Sequence, residues 1–120
     1  MARVLVAPQT TPGAYPALQP AGNSRDITFQ AADSALGNYC VLVESKTLVL
    51  IQNVAVGAKT VTFTSVADDK NRTGDITAYS MGADEIALFG PFKAAGWAHS
   101  GQVWIDGEDA NIKIAVITLP

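Results

Sequence analysis

The chain has 120 residues and a mass of 12.5 kDa, room for one hydrophobic core and not for two. Apolar residues make up 48% and charged ones 16%, against roughly 25% charged in an average soluble domain, so the surface is either unusually neutral or partly covered by partners. A net charge of −3 and a pI near 4.8, without any Lys/Arg cluster, leave no footprint for a phosphate backbone and argue against nucleic-acid binding.

The first apolar stretch, Val4 to Ala7, is shorter than the roughly 7–15 residues of a signal-peptide core. No segment approaches the ~20 apolar residues of a membrane span. Neither secretion nor membrane insertion is expected, and the Asn71-Arg72-Thr73 sequon is then without consequence. Pro8, Pro12, Pro16 and Pro20 recur among Thr10, Thr11, Gly13, Gly22 and Asn23. Proline removes amide donors and disfavours helix before it, so residues 1–25 read as an extended arm, distinct from a domain over residues 26–120. The arm carries Val4, Leu5, Val6, Tyr15 and Leu18, which a solvated tail does not need, so it is expected to dock on its own domain or on a neighbour.

A short helix is expected within Ala31 to Leu36, capped by Asp33 or Ser34. The rest reads as short strands. Ile27/Phe29, Val61/Phe63, Val103/Ile105 and Ile112/Ile114/Val116 recur with a period of two, each marking a strand with one buried face. Thr47-Leu48-Val49-Leu50-Ile51 lacks alternation and fits a central strand covered on both sides. Turn residues fall at Ala55 to Ala58, Asp68 to Gly74, Met81 to Ala83 and Asp106 to Asp109, where hairpins would want them. About eight strands with such spacing give an all-β fold: a single-domain antiparallel β-sandwich, jelly-roll-like, with an extended N-terminal arm.

Residues that carry chemistry are sparse. The lone cysteine, Cys40, can form no intrachain disulfide and, beside Val41-Leu42-Val43, reads as a small buried hydrophobe. One histidine, His99, cannot build a histidine-based zinc site, and no Gly-x-Ser-x-Gly elbow supports a serine triad around it. Phosphate-loop and dinucleotide fingerprints are absent. Asp106-Gly107-Glu108-Asp109 lacks the alternating ligands of a calcium loop and reads as a solvated hairpin tip. Asp68-Asp69 and Asp84-Glu85 are adjacent pairs, which a strand would point to opposite faces. The expectation is a protein without catalytic residues, metal or cofactor. Trp97 and Trp104 read as core or subunit-interface aromatics; with Tyr79 they could instead form a sugar-binding platform.

Four stretches, in order, carry a resemblance: Phe29-Gln30-Ala31-Ala32-Asp33 leading to Gly37-Asn38; Thr60-Val61-Thr62-Phe63 followed by Ser65; Gly90-Pro91-Phe92; and the terminal Ile114 to Pro120. Together they span residues 26–120, and their order and spacing resemble the small capsid decoration, or cement, proteins of tailed phages. Each stretch also has a plain backbone reason, with Gly37 and Asn38 suited to a left-handed turn and Pro91 to a stiff strand exit. The sequence departs from the family's pattern at Tyr39 to Val43, which is more apolar than usual there and is expected to bury against a partner subunit.

The resemblance implies a small β-sandwich, commonly a homotrimer, bound to the major capsid protein at three-fold positions on the outside of the expanded virion shell. Such a protein, made in the host cytoplasm, stabilises the shell by binding only its mature state. Val4, Leu5, Val6, Tyr15 and Leu18 are then the candidate capsid clasp, acting by strand addition. The alternative is a carbohydrate- or surface-binding β-module of a virion or tail appendage.

Overall fold

The computed structural model describes residues 2–10 and 26–120. Their strands are β1 (Val4–Leu5), β2 (Pro8–Thr10), β3 (Gln30–Ala31), β4 (Asn38–Val41), β5 (Thr47–Asn53), β6 (Lys59–Phe63), β7 (Ile76–Met81), β8 (Ile86–Phe89), β9 (Gln102–Gly107) and β10 (Ile112–Thr118). A single irregular helical turn, α1 (Ala94–Trp97), precedes β9, and Gly96, at φ 100°, keeps it from propagating. Two five-stranded sheets result. Sheet A has the order β1-β4-β9-β6-β7; sheet B has β2-β10-β5-β8, with β3 also paired to β10.

The period-two residues form the interface between the sheets, except Ile27 and Phe29, which precede β3 outside any strand, with Ile27 exposed and Phe29 only half-buried. Cys40, Val61, Phe63, Val103 and Ile105 of sheet A meet Val49, Ile51, Ile112, Ile114 and Val116 of sheet B, all buried. An aromatic chain closes the core. Phe63 packs on Phe89 and Phe92 at 4.6 and 5.7 Å, and Phe92 meets Trp97 edge-on at 5.4 Å.

The expected antiparallel sandwich is present, with sheets that are mixed at one side. β1 pairs parallel with β4 and β2 pairs parallel with β10. Residues 2–10 therefore belong to the sandwich: β1 joins sheet A, β2 joins sheet B, and Val6 between them is core. The Gln9 side chain donates to the carbonyl of Asp26 and accepts from the amide of Thr28, tying β2 to the segment before β3.

Other expectations are corrected. Ala31 to Leu36 forms no helix; β3 takes its first residue, and a tight turn follows in which the Asp33 carboxylate accepts from the amides of Ala35 and Leu36. β5 does alternate, burying Thr47, Val49, Ile51 and Asn53 and leaving Leu48 and Leu50 half-exposed on the outer face, so it is covered fully on one side only. Among the four expected hairpin turns, only Asp68 to Gly74 joins neighbours in one sheet; the others carry the chain from one sheet to the other. Gly37 has the left-handed φ of 76°, whereas Asn38 is an extended, buried residue of β4.

Crossing between sheets leaves backbone groups inside the sandwich, and buried polar side chains satisfy them. The Asn53 amide donates to the carbonyls of Gly57, Met81 and Gly82 at 3.0, 2.9 and 3.1 Å and accepts from Ala55 N–H at 2.9 Å. It thereby ties the β5–β6 crossover to the β7–β8 crossover. Asn38 accepts from the amide of Asp33 and donates to the carbonyl of Val4. Replacing Asn53 by Ala strands these groups, and urea unfolding is expected to show a loss of about 2–4 kcal/mol. Val56→Ser, at a fully exposed position of the same crossover, should leave the midpoint unchanged.

Candidate functional site

The two outer faces differ in chemistry. On sheet A, the alternation that buries Val103 and Ile105 turns Gln102, Trp104 and Asp106 outward, with Tyr39 directly opposite Trp104 on β4. Arg3 reaches over this face. Its guanidinium makes two bonds to the Asp106 carboxylate, at 2.8 and 3.2 Å, and lies 4.4 Å from the centre of the Trp104 ring. His99 stacks on the same indole at 3.7 Å, nearly coplanar, while its Nε2–H donates to the Thr64 carbonyl at 2.8 Å. Ala2, Arg3, Tyr39, Gln102 and Trp104 line a shallow recess of about 390 Å³. Gly37 suits the position beneath this group, because its φ of 76° is one that L side chains rarely adopt and a Cβ there would displace the ends of Arg3 and Asp106.

On sheet B, the outward residues are mostly aliphatic, with Gln52 and Lys113 among them and Ala115 fully buried. The register sets Leu50 between Ala115 and Leu88, Gln52 between Lys113 and Ile86, and Leu48 beside Ile117. Ile86 and Leu88 are 59% and 63% exposed, so the apolar stripe widens toward solvent at β8. A stripe of this kind at the margin of a sheet marks an interaction surface better than scattered apolar residues do.

The residues expected to contact a partner are divided by this geometry. Val6 is only 2% exposed and belongs to the core, Val4 is half-buried, and Leu5 is open to solvent; Tyr15 and Leu18 lie outside the described residues. Trp97 packs against the core, Trp104 lies on the outer face of sheet A, and Tyr79, on β7, meets Phe89 edge-on at 5.4 Å. The three aromatics therefore form no single platform, and the indole of Trp104 already carries His99 and Arg3. In the Tyr39 to Val43 segment, Cys40 is buried and Val41 and Val43 are exposed, so that segment is not uniformly interior.

The polar clusters have structural uses. Ser65 Oγ donates to Asp75 at 2.6 Å and accepts from Gly74 N–H at 2.9 Å, while His99 bonds the Thr64 carbonyl, so Ser65 and His99 form no relay. Asp106 faces Arg3, Glu108 accepts from Thr60, and Asp109 pairs with Lys59 at 2.8 Å, which scatters the acidic turn over three partners. Among the described residues no group of His, Cys, Asp or Glu is arranged to hold a metal ion. Burial pushes the Cys40 thiol up to about 12, away from the thiolate that reactivity needs. No described helix is long and apolar enough to cross a membrane.

Sequence reasoning missed the outer face of sheet B and the Arg3–Trp104–His99 stack. The first had a faint signal in Leu48, Leu50, Ile86 and Leu88, which are apolar whichever face is buried. The second joins residues nearly a hundred positions apart and had none. No family model, characterised protein or solved structure matches the chain.

Three surface carboxylates sit below their ordinary range: Asp75 through the Ser65 hydroxyl, Asp109 through the Lys59 ammonium, and Asp68 through the Arg72 amide. Lys59 is raised in turn by Asp109. The carboxylates' contribution is complete above the ordinary aspartate value near pH 4 and is lost as pH falls through their depressed values; that of Lys59 is complete below about pH 10.4 and lost above it. All four lie at the surface, Asp75 exposed and the others partly so, and both limbs are therefore shallow. Urea midpoints should therefore be flat from roughly pH 5 to 9 and fall below about pH 4. Asp75→Asn should lower the plateau and flatten the acid limb.

Proposed function

We propose that the protein is a non-enzymatic structural virion protein that binds the outer surface of a mature phage capsid and stabilises it. The observation that carries this reading is the aliphatic outer face of sheet B, with Leu48, Leu50, Ile86, Leu88 and Ile117 on one surface of a small sandwich. A face of that kind fits a protein surface rather than a substrate, and the resemblance to decoration proteins names the surface. Binding to the expanded shell alone would stabilise that state by mass action. Val4, Leu5, Tyr15 and Leu18 are the clasp residues that this reading retains, since Val6 is committed to the core.

The second reading is a carbohydrate- or surface-binding module of a virion or tail appendage, favoured by the recess between Arg3, Tyr39, Gln102 and Trp104. Planar polar groups beside an aromatic ring are the usual lining of a sugar site, although here the ring is flanked by the protein's own side chains.

Co-sedimentation with shells assembled from the capsid protein of the same genome, before and after expansion, separates the two. Saturable binding to expanded shells only is expected, with Leu50→Asp weakening it at least about tenfold, the loss of roughly 1.4 kcal/mol, and Tyr39→Ala leaving it unchanged. Failure to bind either form overturns the capsid reading, and glycan binding abolished by Tyr39→Ala would then establish the second one.

A further inference from the structure

Each sheet ends in two edge strands, and an unprotected edge offers its backbone to any other strand. Three of the four edges are blunted. β1 is only two residues long, β2 opens with Pro8, and β7 carries a register shift opposite Val61 and Phe63 together with Ala78 at a left-handed φ of 48°. β8 has none of these devices. Ile86 to Phe89 holds an unbroken register against β5 and contains no proline, charge or bulge. On its outward face it shows the two aliphatic side chains already described.

The ladder fixes which backbone groups are open. Asn53 N–H donates to the Glu85 carbonyl, so alternation directs Ala87 and Phe89 toward β5 and turns the N–H and C=O of Ile86 and Leu88 to the side on which no described strand pairs. Charges are distributed unevenly along this edge. Asp84 and Glu85, both exposed, precede the strand, and exposed Lys93 follows it. A second β8 laid parallel would set acid against acid, whereas an antiparallel one sets each acidic end against a lysine.

We infer that β8 is a self-association edge, on which a second copy of this chain adds its own β8 antiparallel about a two-fold axis. The copies' sheets B then merge into one continuous sheet, and Ile86 of one copy lies beside Leu88 of the other as cross-strand pairs. The contact is isologous, so the complementary ends meet twice. Association is independent of any capsid, which makes it testable on the isolated protein whether or not the capsid reading holds.

Size exclusion with light scattering over a concentration series, from low micromolar to near-millimolar, reads this directly. The mass is expected to rise from 12.5 kDa toward twice that value, and the double variant Ile86→Lys/Leu88→Lys should stay at the single-chain mass with an unchanged urea midpoint. Lys93→Glu, at an exposed position, should weaken association several-fold at low salt, an effect that added salt erases. Amide exchange at Ile86 and Leu88 should slow with protein concentration while Ala87 and Phe89 do not respond. A protein that is monomeric throughout, an assembly that survives the double lysine variant, or a trimer as its only assembly overturns the inference.

Discussion

The architecture depends on the satisfaction of polar groups where the chain passes from one sheet to the other. A backbone that crosses the end of a sandwich leaves its ladder, and any carbonyl caught inside needs another partner. Asn53 meets that need at one end by joining two crossovers through a single amide. At another, Thr47 Oγ1 accepts from the amide of Val43, and Ser65 ties the start of the β6–β7 loop to Asp75 near its end. Asn38 secures the turn before β4 to the N-terminal strand. Asn38, Thr47, Asn53 and Ser65 are the buried polar residues of the described chain, and each one is bonded to a loop or turn. Apolar burial supplies the driving force for collapse, and these side chains select which crossovers the collapsed chain adopts.

Much of the fold was legible because one-sided burial writes a period of two. Val61/Phe63, Val103/Ile105 and Ile112/Ile114/Val116 are core pairs for the reason their spacing suggests. What that period cannot encode is sheet membership. A strand followed by a short turn looks the same whether the next strand pairs beside it or crosses to the facing sheet, and so β5–β6, β7–β8 and β9–β10 read as hairpins. The buried asparagines were hidden for a related reason: the residue types that favour turns are also those able to cap one from within a strand. Leu48 and Leu50 disguised the alternation of β5, because an apolar residue on an interaction face leaves the same trace as one in the core. The N-terminal prolines marked extended chain correctly, yet the parallel pairing of residues 4–10 depends on partners far along the sequence.

The outer faces give the molecule two distinct sides. Around β9 the outer face of sheet A is polar and tied in place, with a guanidinium between Asp106 and the indole and an imidazole fixed by stacking and by a backbone carbonyl, while Leu5, Val41 and Tyr79 are exposed elsewhere on that sheet. Groups so fully occupied change little on contact with solvent and suit the exposed side of a surface-bound protein. Sheet B is the reverse, with side chains that gain from being covered and an edge that lacks the usual protections. The sandwich thus turns a mainly polar face one way and a mainly apolar face the other.

The position of β10 bears on how the chain is made. It is the hub of sheet B, flanked by β5 on one side and by β3 and β2 in succession on the other, all of them earlier in the sequence. Nearly everything sheet B pairs with must therefore wait until residues 112–118 have left the ribosome, and β2 in particular is held for most of synthesis without its partner. Long-range closure of this kind makes for slow folding. During that interval β5 has β8 on one side only, and β2 is open to the wrong strand.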